Sequence, residues 1–358
     1  MRTELDPDLL AFTVFGLYKL KEGEVASAVI HVGTKLGLFA ALADAGVVSS
    51  GELADATGLH ERWVREWLNL LAALELAQHD DGRFALTPEA AVVLADEHHP
   101  QYAAGVFGPP ISQREIDRTI EAFSTGIGMT WDEHGAETCH FQAAMGAGGQ
   151  RTHLVPVILD SIDGMSDRLR NGGTVVDIGC GAGVAATAIA EAYPNATVIG
   201  MDPSEHAIGA ANERAADAGL TNLSFRTGTF DDLAALDDID RVDLLLTLDV
   251  IHDLPRPGAA VRSAKACVAD DGVWMVADIK AQSGLEANRR IPVVSLMYAM
   301  SILYCMSSAM SEPGGAGLGT LGLTIDVFEE MATAAGFTQF ETREFEVDPM
   351  NRYYELRP

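Results

Sequence analysis

The stretch TVVDIGCGAGVAATAIA, residues 174–190, constrains the fold more than any other part of the chain. An apolar run suited to a buried strand leads into three glycines on alternate positions, Gly179, Gly181 and Gly183, and then into an alanine-rich helical segment. Glycine lets the backbone turn sharply there and lets a ligand approach with no Cβ in the way. The following helix directs free N–H groups toward that ligand. A dinucleotide fingerprint spaces its glycines G-x-G-x-x-G. Here the spacing is G-x-G-x-G, and Val184 stands where the third glycine of that fingerprint would fall. The next apolar run, TVIGMD, ends on Asp202, where a carboxylate can accept hydrogen bonds from both hydroxyls of a ribose. The pattern predicts a ribose-bearing ligand that need not carry a pyrophosphate.

From Thr174 onward, TVVDIG, TVIGMD, LSFRTG, VDLLLTLDV and GVWMVADI read as strands with amphipathic helices between them. That alternation predicts an α/β class, a Rossmann-like doubly wound parallel sheet with helices on both faces. Ahead of it the organisation differs. VASAVIHVGTKLGLFAALADAG has apolar residues at helical spacing, and two further helices follow, the first capped by Ser49 or Ser50. AQHDDGRFALTP has the marks of a hairpin turning at Asp81-Gly82. The expected division is a winged helix at 1–95, a helical connector at 96–170 and a ligand-binding domain at 171–358, with 281–323 as an insertion over the strand ends. A winged helix serves DNA binding or packing. The segment HERWVREWLNLLAAL sets Arg62 and Arg65 among Glu61 and Glu66, and its Trp63, Trp67, Leu68, Leu70 and Leu71 favour packing or dimerisation.

Charge points the same way. With 52 acidic and 24 basic residues the formal charge is −28, which repels nucleic acid on average. Only five lysines occur, so a halophilic host and an acidic protein from a GC-rich genome are both open readings. Cys139, Cys180, Cys267 and Cys305 lie far apart and imply neither a disulfide framework nor a metal site. A site from His134, Cys139 and His140 matches no established ligand spacing. The N-terminus is acidic without an apolar signal region, and IPVVSLMYAMSILYCMSSAM, 291–310, holds Pro292 and four serines, which suits a buried or cavity-lining helix better than a membrane span. The expected location is the cytoplasm.

VVDIGCGAG, VIGMD, RTGTFDDL and DLLLTLDVIHDL, in that order, resemble the cofactor-binding motifs of class I S-adenosylmethionine-dependent methyltransferases. The segment from HVGTKLGLFAAL to RFALTP resembles the N-terminal winged helix of bacterial small-molecule methyltransferases related to plant-type O-methyltransferases. The resemblance implies S-adenosyl-L-methionine as cofactor and S-adenosyl-L-homocysteine as product. It implies that Asp177 braces the loop, that Gly179, Gly181 and Gly183 admit the methionine and ribose, and that Asp202 holds the ribose. Met201 and Pro203 would flank the adenine; Thr229, Phe230 and Asp231 match the adenine-edge motif, with Thr229 where the family commonly has an acidic residue. Asp231 opens the acidic run DDLAALDDID, which also reads as a solvated surface. Leu248 and Asp249 would line the methionine end. His252 matches the family's general base, with Leu254 in place of the family's tryptophan, and a structural histidine is the competing reading. Met297, Tyr298 and Tyr304 would line a hydrophobic acceptor pocket, with EPGGAGLGTLG as a mobile lid. The resemblance also implies a homodimer and a small, hydrophobic or aromatic acceptor, oxygen being favoured over nitrogen or carbon. A cofactor-responsive DNA-binding regulator and a nicotinamide oxidoreductase are the alternatives.

Overall fold

The computed structural model describes residues 2–236, Ile239 and 241–358, so Asp237, Asp238 and Asp240 of the acidic run lie outside the described residues. It divides into two compact units, one ending at Pro110 and one from Ile111 to Pro358.

In the first unit, Asp6 opens helix α1 (Pro7–Lys35): its carboxylate accepts from the Asp8 and Leu9 N–H groups, and Pro7 needs no partner for an N–H it lacks. The helical pattern expected to run through to Gly46 is broken. Gly37, at φ 68°, ends one helix and starts the next, α2 (Leu38–Ala45), at an angle of 71°. Strand β1 (Val48–Ser49) leads to α3 (Ser50–Thr57), where Ser49 and Glu52 form a reciprocal capping box. After α4 (Glu61–Ala73), strands β2 (Ala77–Asp80) and β3 (Arg83–Leu86) form the expected hairpin, with Asp81 and Gly82 both left-handed at φ 43° and 75°. Helix α5 (Pro88–Ala95) follows, and the three strands order as β1-β3-β2.

Helix α4 buries Val64, Trp67, Leu68 and Leu71, the i, i+3, i+4, i+7 stripe, against Leu42, Leu53 and Phe39, whose ring meets Trp67 edge-on at 5.0 Å. That stripe excludes Trp63, which is 78% exposed and free to pack only against another molecule. Arg62 pairs with Glu66 and Arg65 with Glu61, as the sequence suggested.

The second unit is built on β4 (Thr174–Ile178), β5 (Thr197–Asp202), β6 (Leu223–Thr227), β7 (Val242–Leu248), β8 (Val268–Ile279), β9 (Gln339–Phe345) and β10 (Asp348–Arg357), ordered β6-β5-β4-β7-β8-β10-β9. Neighbours from β6 to β8 are parallel; β10 runs antiparallel to both β8 and β9, a closing pair that the apolar runs of the sequence do not announce. Strand residues alternate between two cores. Val175, Leu244, Leu246, Val273 and Met275 face one, with helices Val184–Ala192 and Glu205–Ala218. Val176, Leu245, Trp274 and Val276 face the other, with helices Pro257–Cys267 and Ile325–Ala335. Both faces are therefore dry, which is why these strands read as unbroken apolar runs. Each fully buried leucine or valine there contributes about 1.5–3 kcal/mol.

Chain order reverses between β4 and β7, which opens a crevice at the carboxyl ends of those strands. Helices Gln113–Thr125 and Ala136–Thr152, with the short turn Trp131–His134 between them, belong to this unit. The apolar segment Val294–Ala309 is helical with a π turn at Ser301–Cys305, and no single helix among the described residues is long and apolar enough to cross a membrane.

One contact in the first unit yields a sharp expectation. A Cβ on Gly33 would lie 2.6 Å from Trp67 Nε1, inside a buried ring that has nowhere to go. Gly33→Ala gains about 1 kcal/mol of helix propensity but overpacks the site by about 1–3 kcal/mol. The substitution should therefore lower the melting temperature of the first unit, read by circular dichroism; a rise would show that the Trp67 pocket yields.

Candidate functional site

The glycine loop continues β4 directly. Gly179, Gly181 and Gly183 sit at φ 75°, 52° and 73°, all left-handed. A Cβ would meet Val250 at 2.4 Å from Gly179 and Phe225 at 2.4 Å from Gly183, so these two glycines are demanded by the protein's own packing. Gly181 is different: a Cβ there would meet nothing within 4 Å, and it is the position of the three that faces open space. The Gly179 and Cys180 N–H groups donate to the Met201 carbonyl at 2.7 and 3.0 Å, and the Gly181 N–H donates to Asp202 Oδ2 at 2.9 Å.

Two carboxylates underlie the loop. Asp177 is buried in β4, the Ala186 N–H at the start of the next helix favours its charged form, and its Oδ2 has no hydrogen-bond partner. Burial, and then the Asp202 carboxylate, push Asp177 up to about 7. Asp202 ends β5, its Oδ1 accepting from the Ser204 N–H at 2.9 Å; burial raises it too, with Asp132 adding to the effect. Met201 is buried beside Gly228, whereas Pro203 is exposed. After β6, Thr229 and Asp232 form a capping box, Asp231 is exposed, and Phe230 is buried with its ring edge-on to Trp274 at 6.3 Å. The Thr229 hydroxyl is thus committed, accepting from the Asp231 N–H and donating to the Asp232 carboxylate, and Phe230 is a core side chain.

Across the crevice, Leu248 is half-buried at the end of β7 and Asp249 takes a left-handed φ of 55°, a conformation Asp tolerates better than most residues. Asp249 is open to solvent while protein surrounds it densely, as at the bottom of a cleft; burial and then the Asp278 charge push it up to about 7. His252 is enclosed. Its Nδ1 lies 2.7 Å from Asp278 Oδ1 and its Nε2 lies 3.1 Å from Asp253 Oδ1. Burial opposes a charge on the ring, but Asp278 and Asp253 outweigh it and hold the imidazole well above its ordinary value. His252 therefore rests as an imidazolium between two carboxylates. Asp253 Oδ2 accepts from Trp131 Nε1 at 2.9 Å.

The side toward a second ligand is aromatic. Tyr304 and Met297 are buried and Tyr298 is half-buried. Tyr304 stacks on Trp131 at 6.2 Å and touches His134 at 5.1 Å. His134 Nδ1 faces Glu115 Oε1 at 3.4 Å and its Nε2 is buried without a partner. Burial lowers the His134 ring below its usual value, and Glu115, although burial works against its charge, is held low by the Ser112 N–H and hydroxyl. A carboxylate on Nδ1 keeps the proton there and leaves Nε2 as an acceptor. The glycine-rich segment after Met310 is stitched down rather than loose: the Ala316 N–H donates to the Pro255 carbonyl at 2.9 Å and the Gly319 N–H to the His252 carbonyl at 3.1 Å. The expectation of a mobile lid is corrected accordingly.

The sequence pointed to Asp177, the glycines, Asp202, Asp249 and His252, and the structure gathers these at the strand ends. It missed Glu115, Trp131, Asp132, Asp253 as a partner of His252, and Asp278. Of these, Asp278 had a signal, an acidic residue closing the apolar strand GVWMVADI.

Residues 169–311 match the family model described as a methyltransferase domain, and residues 25–96 match that of an Rv2258c-like winged HTH domain. Among curated proteins, the ubiquinone biosynthesis O-methyltransferase of Actinobacillus pleuropneumoniae serotype 7 is 27% identical over 173 residues, 47% of this chain and 65% of that protein. The one from Neisseria meningitidis serogroup C is 32% identical over 155 residues, 43% of this chain and 58% of that protein. The chain thus aligns with less than two thirds of the length of these relatives. Among solved structures, human N-acetylserotonin methyltransferase in complex with S-adenosylmethionine aligns with a TM-score of 0.67 at 16% identity, covering 100% of this chain and 99% of that one. An O-methyltransferase family protein from Burkholderia thailandensis aligns at 0.66 and 17%, covering 96% and 97%. At such identities the likeness is one of fold. Domain models and fold agree: residues 25–96 form a winged helix–turn–helix domain and residues 169–311 a methyltransferase domain.

Proposed function

We propose that the chain transfers a methyl group from S-adenosylmethionine to a small aromatic or hydrophobic acceptor, oxygen favoured, by in-line displacement. The observation that carries this reading is the pairing of Gly181, with open space where a side chain would be, and the Asp202 carboxylate that its N–H holds at 2.9 Å. The site fits the cofactor on its own chemistry: Asp177 Oδ2 is buried without a partner, and Asp177, Asp202 and Asp249 give an acidic lining suited to a cation. When bound, the cofactor supplies a methyl already activated on sulfur. On this reading Asp202 holds the ribose hydroxyls, Asp177 and Asp249 balance the ammonium and sulfonium charges, Leu248 lines the methionine end, and Asp231 reaches the adenine edge beside Met201 and Pro203. Alignment and exclusion of water provide most of the acceleration, effects worth about 7–11 kcal/mol in favourable cases. Trp131, Met297, Tyr298 and Tyr304 hold the acceptor, with His134 Nε2 receiving a hydrogen bond from it.

An oxygen acceptor must lose a proton. A hydroxyl wedged between His252 Nε2 and Asp253 Oδ1 separates that pair and leaves His252 with Asp278 alone; the ring then gives its Nε2 proton to solvent, keeps the Nδ1 proton on Asp278, and as neutral imidazole takes the hydroxyl's proton. The domain organisation proposed from sequence, 1–95, 96–170 and 171–358, stays part of this reading. Four free cysteines suit a reducing compartment such as the cytoplasm. The internal charge pairing on α4 favours packing over DNA binding.

Helix α1 supports the homodimer. Leu9, Leu10, Phe12, Val14, Phe15, Leu17, Tyr18 and Leu20 are between 45% and 73% exposed, and at 100° per residue they ring the whole helix. A helix that is apolar all round is stable when enclosed, and a second copy of the chain encloses it.

Calorimetry should show S-adenosylmethionine and S-adenosylhomocysteine binding one per chain, with Asp202→Asn weakening both at least about tenfold; no heat with either compound ends the reading. Because Asp177 and Asp249 hold protons up to about pH 7, cation binding should release protons below that pH, and S-adenosylmethionine affinity should rise from pH 5 to 8, more steeply than that of the uncharged-sulfur product. Across phenolic acceptors, His252→Ala should cut S-adenosylhomocysteine formation by about 10²–10⁴-fold with cofactor binding retained; an unchanged rate rules out the base role. Sedimentation should give a dimer, and Phe12→Glu with Phe15→Glu a monomer; a monomeric wild type refutes the α1 interface.

A further inference from the structure

Three donor atoms of different chemistry converge beneath the acceptor side. Among the described residues, His252, Asp253 and Cys305 are all buried and bring a ring nitrogen, a carboxylate oxygen and a sulfur within 4.8 Å of one another. Two of the three are oriented from behind. Asp278 Oδ1 sits on His252 Nδ1 at 2.7 Å, and Trp131 Nε1 donates to Asp253 Oδ2 at 2.9 Å, which leaves Nε2 and Oδ1 aimed at the common centre. The two atoms lie 3.1 Å apart as an ion pair, yet without the alignment of a hydrogen bond, so Oδ1 is a buried oxygen with no hydrogen-bond partner. Buried polar atoms are nearly always paired. A central ion that took the place of the Nε2 proton would give this oxygen the partner it lacks.

The composition of the set narrows the ion. A histidine whose second nitrogen rests on a carboxylate is the outer arrangement that metal-ligating histidines usually show. Nitrogen, oxygen and sulfur together suit zinc and its neighbours, whereas calcium and magnesium take oxygen. We propose that His252 Nε2, Asp253 Oδ1 and Cys305 Sγ form a three-ligand site for a divalent transition-metal ion of the zinc class, with one coordination position left open. The charges balance. Without the ion, an imidazolium, a thiol and two carboxylates, Asp253 and Asp278, sum to −1. With it, a neutral imidazole, a thiolate, the same two carboxylates and the dication also sum to −1. One ion enters as two protons leave, from Nε2 and Sγ, so no net charge is added to a buried place. The thiol, pushed up to about 11 by burial first, keeps its proton until a metal displaces it.

This site stands on its own residues and does not depend on the methyl-transfer reading. Where both hold, the ion takes over from the imidazole the task of lowering the acceptor oxygen's proton affinity.

The test uses the full chain, stripped with a chelator and titrated with Co²⁺ alone and then Zn²⁺. Expected are one Co²⁺ per chain, a near-ultraviolet thiolate-to-cobalt band that Zn²⁺ removes, and about two protons released per ion in weak buffer. Cys305→Ser should abolish the band, while a chain lacking Cys139, Cys180 and Cys267 but keeping Cys305 should retain it. Trp131→Phe, which frees Asp253 without touching the centre, should weaken Co²⁺ binding by about 10–100-fold. Failure of the wild type to take up stoichiometric Co²⁺, or a band that survives in Cys305→Ser, overturns the site; the first readout needs no variant to fold. S-adenosylhomocysteine calorimetry on the same preparation distinguishes loss of the metal site from loss of the methyl-transfer reading.

Discussion

The hydrogen bond from the Gly181 N–H to Asp202 Oδ2, 2.9 Å long, is the constraint on which the site depends. It joins the loop leaving β4 to the last residue of β5, and the Gly179 and Cys180 N–H groups reinforce it on the Met201 carbonyl. The glycine turn is thereby an extension of the sheet's own ladder rather than a loop laid over it. Val250 and Phe225 fill the places where two Cβ atoms would go, so the turn can take one shape. A ligand meets a surface already organised, and the cost of ordering it has been met in folding.

That organisation concentrates negative charge. Asp177, Asp202 and Asp249 come from the ends of β4, β5 and β7, and the fold buries or encloses them with less positive charge than would balance them. Moving Asp177 from 3.8 to about 7 corresponds to roughly 4 kcal/mol against its ionised form. A folded pKa above the unfolded one means that this cost is absent below about pH 4, so that stability is lost as pH rises from there through 7. The free protein is therefore strained by the very groups a cation would relieve. His252 answers the same problem locally, setting one imidazolium between Asp253 and Asp278.

What the sequence disclosed follows from the range of the interactions. The strands β4 to β8 were legible because burial on both faces writes itself as apolar runs, and Gly179 to Gly183 because a left-handed turn restricts residue type locally. β9 and β10 were not: an antiparallel pair at the sheet's end carries charges between its apolar residues, and QFETREF has no glycine punctuation to mark it. The aromatic side of the site was legible only in part. Tyr304 and Met297 showed as an apolar helix, but Trp131 meets Asp253 across 122 residues of chain and Glu115 meets His134 from the preceding helix. No local pattern encodes such pairs, because they exist only once the sheet has set the distances.

The turn Trp131–His134 shows how the strand ends are tied together from outside the sheet. Thr130 and Glu133 cap it reciprocally, and the Met129 N–H anchors it to Ser307 Oγ at 2.9 Å. Trp131 then reaches the end of β7 through Asp253, while Asp132 reaches the end of β5, accepting from Ser204 Oγ at 2.9 Å and from the Glu205 N–H at 3.0 Å. Adjacent side chains of one short turn thus grip the two strand ends on either side of the glycine loop. His134, on the same turn, carries the unpartnered ring nitrogen. A change in this turn moves the aromatic wall, the acidic pair at His252 and the cap of the helix after Asp202 together. The turn therefore ties these three parts of the site to one another while the sheet and its glycine loop are set independently of it.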